Sequence, residues 1–197
     1  MRTTTLPDAF QAALRLAARE VVEDALDLRG ALLLAQAQSR ARRHQDRLTL
    51  WQALPATVLD HQSLFANAGF AQRQQQSALA AAAAAQRFQP WHPLLLGAAA
   101  VGLPADDDCV ELALHLDEDE ELLRLLFEQQ IRTRVSERLL AQRAGSPERR
   151  CTTITYAERT SDVELVLLPL SWRGRPLFVD GLPLTKAAPE AAPWPRP

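Results

Sequence analysis

The stretch DDDCVELALHLDEDEE, residues 106–121, decides how this chain is read. Val110, Leu112, Leu114 and Leu116 alternate with Cys109, Glu111, Ala113 and His115, and a period of two over eight residues predicts a half-buried strand. Asp117 follows as an N-cap with Glu120 three residues on, a capping-box pattern whose acidic groups also face the positive end of a helix. Leu123, Phe127, Ile131, Val135 and Leu139 then recur at four-residue steps. That spacing predicts one long helix from about Glu118 to Ala144, with Arg138 and Arg143 in its last turns and Gly145 as its stop.

Upstream of this stretch the chain reads as helix. Phe10, Leu14, Ala17, Val21, Ala25 and Leu28 recur at three- and four-residue steps between Arg15, Arg19, Glu20 and Glu23, one amphipathic helix with Pro7 near its start. Gly30 interrupts it, as a hairpin or as a weak point, and Ala31–Leu54 resumes a helical pattern that Pro55 is expected to end. A second helical stretch spans about Asp60 to Phe88 and holds seven alanines within Ala78–Ala85. Alanine is the strongest helix former, and its small side chain permits close approach, so this segment needs a cover. Pro90 closes it, and Pro93 opens a short helix from about Leu94 to Ala100.

Downstream the chain reads as strand. Arg150–Tyr156 is rich in Thr, Ile and Tyr, and Val163–Leu168 is almost wholly apolar, as a strand buried on both faces is. Gly174 predicts a hairpin over Ser171–Val179, and Asp180-Gly181 marks a further turn. From Ala187 the composition collapses to Ala, Pro and Glu and ends in Pro193-Trp194-Pro195-Arg196-Pro197, the pattern of a disordered tail. The reading is α+β: a helical region over residues 7–103, a small antiparallel sheet with one long helix over residues 106–184, and a tail over residues 187–197.

Composition narrows the function. The chain has 197 residues, 22 basic against 24 acidic, and a net charge of −2, so no global field is available to hold a polyanion. It contains 34 Ala, 34 Leu and 21 Arg but a single Lys, Lys186, a bias like that of a GC-rich bacterial genome. No single Arg is therefore read as chosen over Lys. The N-terminus lacks the apolar core of a secretory signal, and the longest apolar stretches are about half the roughly 20 residues of a membrane helix. The expected location is cytoplasmic, and no membrane is expected among the partners.

No catalytic or metal motif stands out. Cys109 follows Asp106, Asp107 and Asp108, whose charges disfavour a thiolate, while Cys151 sits beside Arg149 and Arg150 with no histidine near it in sequence. Both are read as small apolar residues. His115 shares a strand face with Glu111 and Cys109, but same-face neighbours lie about 7 Å apart, too far for one strand to supply three ligands to one metal. No cofactor is expected.

Surface chemistry is what remains. Arg40, Arg42, Arg43 and Arg47 form a basic stretch read as helical, segregated in sequence from the acidic Asp106, Asp107 and Asp108. These seven residues are the candidate interaction surface. The function this supports is a non-enzymatic accessory or adaptor protein acting through contacts with another protein or a second copy of itself. An alternative is an enzyme with a pocket between the helical region and the sheet, drawing on Arg149, Arg150, Tyr156, Asp162, Arg173 or Arg175. There Arg173 and Arg175 flank a turn and are the candidate anion contacts. Nucleic-acid binding through Arg40–Arg47 is the least favoured reading, since spacings of one and two scatter those side chains around a helix.

Overall fold

The computed structural model describes residues 6–194, with eight strands and six α-helices among them. The chain divides into two units, and the division falls after Gln72 rather than near residue 103. The expected helical region therefore ends sooner: the second half of the Ala-rich helix belongs with the sheet.

In the first unit three helices pack on one another: α1 (Asp8–Glu23), α2 (Leu28–Ser39) and α3 (His44–Phe65). Of the expected stripe, Leu14, Ala17 and Val21 are buried on α1, joined by Ala13, Ala18 and Val22. The helix stops at Glu23, however, where Ala25 turns the chain at a φ of 56° and Leu28 belongs to α2. Leu32, Leu50, Leu54 and Val58 complete the core. Gly30 makes no hairpin. It lies in the first turn of α2, where its N–H donates to the Asp27 carboxylate. That cap predicts that Asp27→Ala costs about 1 kcal/mol, read as a shift of the urea midpoint, while Asp27→Asn keeps most of it. Pro55 does not end a helix either but lies inside α3. Burial of Leu50, Leu54 and Val58 on the same helix offsets the loss of one backbone N–H. The breaks occur instead where Ala25, Arg40 and Ala66 adopt left-handed conformations. The next helix, α4 (Ala68–Arg87), starts behind Asn67, whose side chain accepts the Phe70 N–H at 2.9 Å.

The second unit is built on a six-stranded sheet. Its members are β1 (Leu94–Leu96), β2 (Cys109–His115), β3 (Thr133–Leu140), β4 (Arg149–Ala157), β5 (Asp162–Leu168) and β8 (Lys186–Ala187), in the order β3-β4-β5-β2-β1-β8. The sheet is mixed rather than antiparallel: β2 and β5 run parallel, with Val110 beside Val163 and Leu114 beside Leu167. A separate hairpin joins β6 (Leu177–Val179) to β7 (Leu182–Leu184). Its turn is Asp180-Gly181, with both φ angles positive, and Gly174 serves an earlier turn instead.

One sheet face carries Ile154, Tyr156, Val163, Leu165, Val110, Leu112 and Leu114, packed against Ala80, Ala81 and Ala84 of α4, against Phe88 just past its end, and against α6 (Glu120–Glu128). The sheet is thus the cover that the Ala-rich helix requires. Two buried polar groups of α4 also hold the loop before β2: Gln74 donates to the Gly102 carbonyl, and Ser77 Oγ accepts the Ala105 N–H at 2.9 Å. The opposite face has its own apolar cluster, Leu96, Ala113, Leu140, Cys151, Val166, Leu168, Trp172 and Leu177.

The long helix over Glu118–Ala144 is not formed. Only α6 is helical, Gln130 turns the chain at a φ of 53°, and residues 133–140 form β3, so Gly145 ends no helix and sits in the link from β3 to β4. A four-residue step is about one helical turn, but it is also two repeats of a strand, and Val135 and Leu139 satisfy both. The buried stripe of α6 is Leu122 and Leu126, whereas Phe127 is 83% exposed. Leu94–Leu96, expected to be helical, is β1, and only Gly97–Ala100 is a helix, α5.

The tail is also ordered where it is described. β8 pairs with β1, a 3-10 turn follows over Pro189–Ala191, and Trp194 packs against the core. Gly102 makes room for it: its φ is +75°, and a Cβ there would meet the Pro193 carbonyl oxygen at 2.7 Å. Residues 195–197 of the expected tail lie outside the described residues.

Candidate functional site

The parallel pair β2 and β5 ends on the same side of the sheet, where each chain turns away: β2 into Leu116 and Asp117, β5 into Pro169 and a 3-10 turn over Leu170–Trp172. Crevices outside the carboxyl ends of parallel strands are recurrent ligand sites, because loops rather than further strands surround them. β4 runs antiparallel to β5, but their ladder stops at Thr153 opposite Val166, although both strands continue beyond that pair. On its other side β4 stays paired with β3 as far as Arg149 opposite Leu140, and β5 stays paired with β2 as far as Leu168 opposite His115. The two strands therefore splay and leave a wedge.

A cleft of about 400 Å³ occupies the wedge. One wall is Arg149–Thr152 of β4, and the other is Leu167, Leu168 and Trp172, with Asp117 and Asp119 at the margin. Asp117 Oδ1 accepts the Leu170 N–H at 3.0 Å and so fastens the turn that carries Trp172. Arg149 is exposed and has no ion pair among the described residues. Arg150 pairs with Glu137 at 3.3 Å, both exposed, a contact that solvent leaves weak. Burial raises the Cys151 thiol above its ordinary value, against the opposing pull of Arg149. At neutral pH it is a thiol in an apolar setting, with no nucleophilic character.

A second polar group lies on the sheet face that bears Cys151. Arg138 of β3 reaches across β4 and β5, placing Nη1 2.7 Å from Glu111 Oε1 and 3.4 Å from Glu164 Oε2. Glu111 and Glu164 sit side by side in register, and burial together with Glu111 raises the Glu164 carboxyl above its usual range, while Arg138 opposes the shift. Nearby, burial and the charges of Glu164 and Glu111 push the Cys109 thiol up to about 12. Among the described residues no cluster of His, Cys, Asp or Glu is arranged to hold a metal.

The residues singled out from the sequence are scattered. Arg149 and Arg150 line the cleft, but Tyr156 lies on the opposite sheet face, bonded to Arg87 at 3.1 Å, and Asp162 lies at the far end of β5. Arg173 and Arg175 are exposed in the turn after Trp172, where the Arg175 carbonyl accepts from Lys186 Nζ. Arg40, Arg42 and Arg43 do not share a helix: they form the exposed link between α2 and α3, and Arg47 is half-buried on α3. Asp106, Asp107 and Asp108 form a 3-10 turn leading into β2. Trp172, Asp117 and the Glu111–Arg138–Glu164 group were not legible, because each depends on strand pairing between segments distant in sequence.

The first and second units together form an α+β protein with a mixed sheet and an end cleft, in which no helix among the described residues is long and apolar enough to cross a membrane. Comparison with protein families, with curated proteins and with solved structures finds no match to the chain.

Proposed function

We propose that this protein acts by binding another protein, which adds an extended strand to the outer edge of β3. The observation that carries the reading is an open edge with apolar side chains. β3 is one of the two edge strands of the sheet, Val135 is 62% exposed and Leu139 49%. Natural sheets shield their edges, since a row of unpaired N–H and C=O groups is a template for another chain.

The edge is closed at one end only. Ala141 exchanges two backbone hydrogen bonds with Phe178, at 3.0 and 2.8 Å, so the β6–β7 hairpin covers that position. The outward groups of Ala141 set the phase: by the period of two, Leu139, Glu137, Val135 and Thr133 also point their N–H and C=O outward. An added strand would bond to these four residues and place apolar side chains beside Val135 and Leu139. Arg132 and Arg134, both exposed, favour a partner strand with carboxylates at its intervening positions. Two free thiols, Cys109 and Cys151, suit work in a reducing compartment such as the cytoplasm.

The test is capture of a companion by the tagged protein, followed by amide exchange on the complex. Protection of residues 133–139 is expected, together with at least a tenfold loss of the companion in a Val135→Lys/Leu139→Lys variant that unfolds at the wild-type midpoint. A companion retained by that variant, protection confined to other segments, or a chain that purifies alone overturns the reading. Protection of the same amides by a second copy of the chain also overturns it in favour of self-association.

A further inference from the structure

We infer that the wedge between β4 and β5 is a binding site for the end of an extended peptide, a short segment that terminates in a free carboxylate. Three features of the wedge converge on that chemistry. The first is backbone. Beyond Thr153 and Val166 the β4–β5 ladder ends; the backbone groups that the period of two turns toward the gap are those of Arg150, Thr152 and Leu167, while the Leu168 carbonyl accepts the Leu116 N–H and Arg149 and Cys151 face β3. An inserted peptide supplies the missing amides, as strand addition does elsewhere.

The second feature is charge. Arg149 and Arg150 start β4 and both line the cleft, with side chains on opposite sheet faces: Arg149, on the face of Cys151, has no ion pair among the described residues, and Arg150 is in an exposed pair with Glu137. Guanidinium groups match a carboxylate with two parallel N–H donors, a geometry that an amide-capped chain end does not offer. Of the two carboxylates that also line the cleft, Asp117 is already engaged by the Leu170 N–H. The third is shape. Leu168, Trp172 and Cys151 give an apolar floor for the last side chain, and the volume of about 400 Å³ is at the low end for ligand sites. The taper toward Thr153 and Val166 closes the site to a continuing chain, so it suits a terminus.

The site is separate from the β3 edge, and its test does not depend on it. N-acetyl-Ala-Ala-Leu with a free carboxylate, the same peptide as its C-terminal amide, and free leucine are titrated calorimetrically into the full chain up to millimolar concentration. The acid is expected to bind saturably and the amide at least tenfold more weakly, with leucine weaker than the acid because it lacks the backbone amides. Arg149→Ala/Arg150→Ala, both at exposed positions, is expected to weaken the acid at least tenfold while keeping the wild-type unfolding midpoint, and Val135→Lys/Leu139→Lys is expected to leave it unchanged. No binding of the acid, equal binding of acid and amide, or leucine binding as tightly as the peptide overturns the inference. If the arginine variant fails to fold, the acid-against-amide comparison on the wild-type chain decides it alone.

Discussion

Replacing Phe88 by Ala is expected to destabilise the second unit by about 3–5 kcal/mol. Phe88 is fully buried at the end of α4, where its ring meets Tyr156 edge-on with centroids 5.9 Å apart and Trp91 at 6.3 Å. Its neighbours on the helix are Ala80, Ala81 and Ala84, which have no side-chain atoms to swing into the space the ring would leave. A cavity beside rigid, short side chains persists, and the cost lies toward the upper end of the range for that reason. Phe88→Leu keeps part of the volume and should cost less than half as much. Urea unfolding followed by tryptophan fluorescence reads the change, since Trp91, Trp172 and Trp194 report on the second unit and Trp51 on the first. A shift below about 1 kcal/mol would mean that the sheet does not rely on α4 for its cover.

Arg138→Ala should cost about 2–3 kcal/mol at neutral pH, because it leaves two half-buried carboxylates side by side with no cation between them. The pH dependence gives the effect a signature. Glu164 already titrates above its ordinary value in the folded protein, from burial and from Glu111. A carboxyl raised on folding binds more protons in the native state than in the unfolded chain. Its contribution therefore falls as pH rises from the ordinary value through the folded one, and is restored on acidification. Without Arg138 the folded value moves higher still, so the variant should regain stability between about pH 7 and pH 5 while the wild type changes less. Adding Glu164→Gln to the variant should remove most of both the loss and its pH dependence. Urea midpoints at the two pH values check this, and a loss independent of pH would assign the role of Arg138 to packing of its stem.

These two sites also show where local reading succeeds and where it stops. β2, β4 and β5 were legible because alternation over Cys109–Leu116 and the Thr, Ile and Val content of the other two are properties of each segment by itself. The stripe of α1 was legible for the same reason as far as Val21, but not beyond it, where Ala25 takes a left-handed conformation and Leu28 starts α2. β3 was not, because Val135 and Leu139 fit a helical turn as well as two strand repeats, and only pairing with β4 decides between them. Pro55 was expected to stop a helix that packing carries through, and the Pro-rich tail was expected to be loose where Gly102 and the core receive Pro193 and Trp194.

For the sites the division is sharper. Arg149 and Arg150 were recognisable as cations beside Cys151, but a cleft exists there only because the β4–β5 ladder ends before the strands do. Alone, the amino-acid sequence determined the α+β class, the three strands with a clear local period and the net charge of −2. Sheet order, the parallel pairing of β2 with β5, the open edge of β3 and the union of Arg138 with Glu111 and Glu164 were decided by tertiary structure. The reason is physical: periodicity and propensity act within a turn or a few residues, whereas strand pairing joins segments tens of residues apart through backbone groups that every sequence shares.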